Sequence, residues 1–191
     1  MLILANKAHQ MTNGRHNQKT LSFVKACTAY VHITIPTLDN VDMQNKLFLL
    51  AAQTSLLNGL VGETESLLQS ILVTMDERFT ADAKKLTAAG QKIETHYVNN
   101  LYKMGELLQS LCGFLVIVPS NPEGSYFQMV EGILNFLKKE EWGQSPDAYI
   151  VQVRVLDSVV RYLASQTQDT LPYRIANVES NDQIFIGDEN F

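Results

Sequence analysis

The sequence predicts an all-α chain, a HEAT-like α-solenoid of antiparallel helix pairs with about six or seven helices. Apolar residues recur at the three-and-four spacing of a helix face, not at the alternation of a half-buried strand. Turn signals separate these periodic stretches into helices of ordinary length. Two helix pairs can be delimited, each about 40 residues long, the period of HEAT-type repeats. A chain of 191 residues with 46% hydrophobic content can bury a core of its own.

In chain order, the first periodic stretch runs from Thr20 to about Ile35 and places Phe23, Val24, Cys27 and Val31 on one face, with Pro36 as its stop. Its last turns carry Val31, Ile33, Thr34 and Ile35, so a strand competes there on β-propensity. Asp39 or Asn40 then caps a helix through Leu47, Phe48, Leu50, Ala51 and Leu57 that stops at Asn58-Gly59. From about Glu63, Leu67, Leu68, Ile71, Leu72 and Met75 line the buried face of a second helix, and so short a link makes the two antiparallel. The hydrophilic stretch from Thr80 to Lys92 reads as a loop or a frayed helix end.

The longest helix is expected from about Glu94 to Val118, ending at Pro119; its second half is apolar nearly all round, as a helix with neighbours on every side should be. After the turn Asn121-Pro122-Glu123-Gly124, a helix carries Tyr126, Val130, Ile133, Leu134 and Leu137 on one face. Ser145 caps the last helix, Pro146 takes its first position, and Val153, Leu156, Val160 and Leu163 line the face expected to be buried. Phe127, Phe136, Tyr149 and Tyr162 fall off these main stripes. A closed bundle has no use for such extra apolar residues, whereas a solenoid repeat contacts neighbours on both sides. The solenoid is therefore assigned to residues 1–171, and 172–191, with Pro172, Asn177, Asn181 and Gly187, read as an irregular C-terminal tail.

Composition excludes several function classes. A net charge of −5, with fifteen basic residues scattered among twenty acidic ones, makes no polybasic stripe for nucleic acid. Cys27 and Cys112 sit in apolar stretches and read as buried thiols. No Asn-x-Ser/Thr sequon and no signal-peptide pattern occur, and the run Leu107 to Val118 is short of the roughly 20 residues a membrane span needs. A cytoplasmic chain without membrane insertion is expected.

No chemistry-bearing motif stands out. His9, His16, His32 and His96 form no pair at helical ligand spacing, and neither a Cys-x-x-Cys nor a calcium-loop pattern is present. No nucleophile elbow or Gly-rich phosphate loop followed by Lys exists. The acidic pairs Asp76-Glu77 and Glu140-Glu141 lie beside Arg78 and beside Lys138 and Lys139, as solvated helix ends do. The expectation is no catalytic residue, no cofactor, no metal and no enzyme. Tyr126, Gln128, Glu131 and Tyr149 are the candidate partner-binding residues, since an interface helix carries aromatic and polar groups off its core stripe. The alternative reading is a self-contained helical-repeat adaptor that binds peptides in its groove.

Four segments also carry a family resemblance. Asn13 to Tyr30 (Asn-Gly-Arg-His-Asn-Gln-Lys-Thr-Leu-Ser-Phe-Val-Lys-Ala-Cys-Thr-Ala-Tyr), Ile33 to Leu38, Leu107 to Glu123, and Val178 to Asp182 with Gly187-Asp188 follow one another in family order. Together they resemble the C-terminal region of the vacuolar protein sorting 35-like family, large solenoid subunits of the retriever complex and relatives of retromer. The resemblance implies a right-handed solenoid that serves as a scaffold, peripheral on endosomes, for recycling cargo to the plasma membrane. It implies a small metallophosphoesterase-fold subunit as direct partner, an arrestin-like subunit held through regions absent here, and indirect links to a sorting nexin cargo adaptor and a coiled-coil platform. Family members are several times longer than this chain, and the family has no active site to carry over.

Overall fold

The computed structural model describes residues 1–89, 95–118, 125–139, 142 and 145–167. Seven α-helices and no strand occur among them: α1 (Leu2–Thr12), α2 (Gln18–Thr34), α3 (Val41–Leu57), α4 (Val61–Ala89), α5 (Thr95–Ile117), α6 (Ser125–Leu137) and α7 (Pro146–Thr167). The expected tail 172–191, the turn Asn121–Gly124 and the pair Glu140-Glu141 lie outside the described residues.

Local chemistry sets the helix ends. The Asn17 side chain accepts the Thr20 amide at 2.9 Å, and Asn40 accepts the Met43 amide at 3.1 Å, each satisfying one of the donors orphaned at a helix start. Of the two residues proposed to cap α3, Asn40 holds the position. The expected stop at Asn58-Gly59 is a Schellman turn: Leu60 N donates to Ser55 O, Gly59 N donates to Leu56 O, and Gly59 takes a φ of +73°. Ser145 caps α7 as expected, its Oγ accepting from Ala148 N at 3.1 Å.

Three local expectations are corrected. Residues Leu2–Thr12, which lie before the first expected helix at Thr20, form α1, which buries Ala5 against α2. The β-branched end of α2 stays helical and passes into a 3₁₀ turn at Ile35–Thr37, so the strand alternative fails. Burial decides that point: Val31 and Ile35 join the main core, and packing overrides a weak propensity. Thr80 to Ala89 is neither loop nor frayed end, because α4 continues through it; with 29 residues in all, about 44 Å at helical rise, α4 and not the 23-residue α5 is the longest helix among the described residues.

Helix–helix contacts reveal two layers. α3 and α4 are antiparallel: Asp42 at the start of α3 pairs with Arg78, while Thr64 at the start of α4 reaches Ala52. Helices two apart run parallel. Lys25 and His32 of α2 meet Glu63 (3.4 Å) and Ser70 (2.8 Å) of α4. Leu72 and Phe79 of α4 meet Gly132 and Phe136 of α6, the two Phe rings 5.0 Å apart. Tyr102 and Gly105 of α5 meet Asp147 and Val151 of α7. Even-numbered helices thus form one layer and odd-numbered helices the other, with like-directed neighbours inside each. That is the arrangement of a solenoid, in which each pair contacts the next on both sides.

The expected pairing of α6 with α7 is accordingly corrected. α7 packs chiefly on α5, and α6 packs chiefly on α4. Gly105 shows why α5 and α7 come so close, since a Cβ there would lie 2.4 Å from Val151 Cγ1. α6 is tied to α7 through its end: Gln152 Nε2 donates to Leu137 O at 2.9 Å. In the connection, Trp142 is buried against Phe79 and Phe136, and its indole N–H donates to Phe136 O at 2.9 Å.

Candidate functional site

The interaction surface of a solenoid is whatever apolar helix face its own repeats do not cover. α7 supplies the clearest one. Its buried face is Ala148, Val151, Val155, Val159 and Tyr162, not the expected Val153, Leu156, Val160 and Leu163. Both sets satisfy helical periodicity; the tight Gly105–Val151 approach and the 2.7 Å Tyr102–Asp147 hydrogen bond decide which side turns inward.

The other set is therefore on the surface. Val153 is 64% exposed and Val160 62%, with Leu156 and Leu163 less so, and Tyr149 extends the stripe toward the helix start. Tyr149, Val153, Leu156, Val160 and Leu163 follow one another at steps of four, three, four and three, the spacing of a seam that accepts another helix. Charged residues are confined to one arc of α7, where Asp157 pairs with Arg161 at 2.8 Å and Arg154 is exposed. α7 thus has two apolar faces, only one of them used internally. On α6, Phe127 adds an exposed ring beside α7, its centroid 6.3 Å from that of Tyr162.

The candidate partner-binding residues divide. Gln128, Glu131 and Tyr149 are exposed, Tyr149 within the α7 stripe. Tyr126 is 4% exposed, with its hydroxyl sealed in the core and without a hydrogen-bond partner, so it offers no surface. Phe136 and Tyr162, read as off-stripe, are buried, whereas Phe23, placed on one face with the buried Val24, Cys27 and Val31, is exposed, as are Leu50 and Leu57 of α3. Sequence reading missed the outward direction of the α7 stripe and the buried Asn45 in the middle of α3. A heptad-grade stripe on a helix with a second apolar face is the signal that could have exposed the first.

Among the described residues, the shifted titratable groups are a thiol and three phenols. Burial raises the Cys112 thiol from about 9 to about 11, leaving it protonated and unreactive near neutral pH. Burial likewise raises the phenols of Tyr126 and Tyr162, and the hydrogen bond to Asp147 raises that of Tyr102. His9 and His16 are brought together across the α1–α2 turn, with ring centroids 6.2 Å apart. Among the described residues no group of three or more metal-ligating side chains gathers, and no helix is long and apolar enough to cross a membrane.

Comparison with known proteins identifies the family. The family model of the VPS35L C-terminal domain matches residues 2–191. A zebrafish (Danio rerio) VPS35 endosomal protein-sorting factor-like protein is 30% identical over 191 residues, covering 98% of this chain and 18% of the relative. The Dictyostelium discoideum counterpart is 28% identical over 188 residues, and the human one 29% over 191, again with 98% of this chain and 18% of each relative covered. The chain therefore spans under a fifth of the length of these curated relatives. With a family model covering nearly every residue and a two-layered helical stack beneath it, the chain belongs to the VPS35L C-terminal domain family.

Proposed function

We propose that this chain is a scaffold segment of a retriever-like complex that sorts cargo at endosomes, and that it works by binding proteins, not by catalysis. The second apolar face of α7 carries the reading. An exposed Val or Leu gains roughly 1.5–3 kcal/mol when fully buried, so a stripe of four such positions headed by Tyr149 is a strong docking surface. The relatives' description as endosomal protein-sorting factors supplies the cellular setting. Within it, the small metallophosphoesterase-fold subunit is the direct partner, gripped through the helical-repeat surface with Tyr149, Gln128 and Glu131 at its edge. An arrestin-like subunit, a sorting nexin adaptor and a coiled-coil platform attach through other parts of the assembly. The cargo is returned to the plasma membrane from the cytoplasmic side of the endosome.

Val153→Asp and Val160→Asp test this reading directly. Both positions are exposed, so the isolated chain should keep its helicity and melting temperature. Binding to the purified small subunit, measured by calorimetry, should weaken at least about tenfold for each variant. Unchanged affinity in both would remove α7 as the docking face. Absence of any binding by the unaltered chain would remove the proposed partner.

A further inference from the structure

The odd-numbered layer is not uniformly closed. α5 lies along α7, but α3 and α5 meet only sparsely, near the Asp42–Lys103 contact at 3.5 Å. Between them, floored by α4, is a cleft of about 340 Å³, within the range of small ligand sites. Its apolar lining is Leu49, Met75, Met104 and Leu107. Two of these four are methionines, whose unbranched, polarisable side chains adapt to differing occupants.

Asn45 also lines the cleft, and it is an anomaly. The residue is 4% exposed, and its Oδ1 is sealed from solvent without a hydrogen-bond donor. Gln44, its neighbour on α3, shows the ordinary outcome, its amide bonding the Pro36 and Leu38 carbonyls. A buried acceptor left unmade is costly, and native structures keep few of them. An N–H that reaches it as the adaptable methionine side chains of the lining shift would satisfy it.

The ionisable lining is three basic residues to two acidic ones, a local positive excess in a chain of net charge −5. Arg78 and Lys103 both hold Asp42. Lys46, exposed on the α3 wall, has no ion pair among the described residues, while Glu106 stands on the α5 wall. Each wall carries one acid and one base, but Asp42 is already held by Arg78 and Lys103, so Lys46 on the α3 wall is the cation open to an incoming carboxylate.

We propose that this cleft docks an extended peptide bearing an apolar side chain next to an acidic one. The apolar side chain enters between Leu49, Met75, Met104 and Leu107. Its main-chain N–H donates to the Asn45 amide, and the neighbouring carboxylate pairs with Lys46. The site is separate from the α7 stripe and does not depend on what covers α7.

The probe is a set of fluorescein-labelled, capped eight-residue Gly/Ser peptides with one central Leu, Met or Phe and Asp or Glu on either side of it. Fluorescence polarisation with the 191-residue chain should show saturable binding for at least one anchor. Replacing the anchor with Ala, methylating its amide nitrogen, or exchanging the acid for Lys should each weaken binding at least about tenfold. Asn45→Leu should lose binding to the same extent while the melting temperature holds or rises, since the orphan is removed. Lys46→Glu, on the surface, should reverse the preference in favour of the Lys peptide. No saturable binding by any peptide below about 1 mM would overturn the proposal and leave Asn45 to a bound water. Unchanged binding in both variants, or equal affinity for the methylated peptide, would overturn it as well.

Discussion

Gly105 offers the most direct test of how the helices are stacked. On helix propensity alone, Gly105→Ala within α5 should stabilise the chain by about 1 kcal/mol. The structure gives the opposite sign, because the new Cβ would meet Val151 Cγ1 at 2.4 Å, far inside any ordinary contact. Both residues sit in the α5–α7 interface, so the helices must part or Val151 must leave its rotamer, an overpacking cost of about 2–3 kcal/mol. The net expectation is a loss of about 1–2 kcal/mol. For a chain of this size that lowers the melting temperature by roughly 2–8 °C. Gly113 lies on the same helix, but a Cβ added there would have nothing within 4 Å. Gly113→Ala should therefore stabilise by up to about 1 kcal/mol. Val151→Ala removes the obstructing methyl groups, so the double variant with Gly105→Ala should lose less than the two single losses added together. Urea denaturation followed by circular dichroism measures all four. Equal gains from Gly105→Ala and Gly113→Ala would refute the parallel packing of α5 on α7.

The core and its thiol give two more tests. Trp142→Ala should cost about 3–5 kcal/mol, since a buried indole packed on Phe79 and Phe136 is removed, whereas Trp142→Phe should cost about 1–2 kcal/mol by losing the bond to Phe136 O. A loss below about 0.5 kcal/mol in urea denaturation, the size expected at an exposed position, would contradict both. Burial holds the Cys112 proton from about pH 9 up to about 11, so its contribution is complete below 9 and fades as pH rises through 11. The melting temperature should fall across that window, with Tyr126 and Tyr162 acting in the same direction, and Cys112→Ala should flatten the fall; parallel curves for the two proteins would exclude the thiol.

Helix identity was legible in the sequence wherever periodicity and a cap coincided. Asn40, the Asn58-Gly59 turn and Ser145 each bond locally, so the residues that mark the helix ends also make them. The end of α2 and the length of α4 were less legible because tertiary burial, absent from a local window, decides them. Val31 and Ile35 are held helical by the main core, and Phe79 fixes α4 next to Thr80 through its contacts with Phe136 and Trp142. Solenoid character was visible as apolar residues in excess of one seam, but the residues proposed as the excess were only partly the right ones. Phe127 and Tyr149 are exposed, while Phe136 and Tyr162 belong to the core. The candidate site was readable as a stripe and not as a surface.

That last distinction has a physical origin that bears on what the α7 face does. Ala148, Val151, Val155, Val159 and Tyr162 make a buried face with small and β-branched side chains, suited to a close approach at Gly105. Val153, Leu156, Val160 and Leu163 make the more regular heptad seam, which is why periodicity favours them as core. Periodicity reports that a face suits another helix; it carries no information on whether that helix is α5 or a different molecule. In a bundle the ambiguity is harmless, because each helix has one apolar face and it turns inward. In a layered stack each helix needs a neighbour on both sides, and a face not matched by a neighbour within the stack stays apolar on the surface. A surface that satisfies the rules of a core more regularly than the core beside it is built for occupation, and the α7 stripe meets that description with its charges gathered on another arc of the helix.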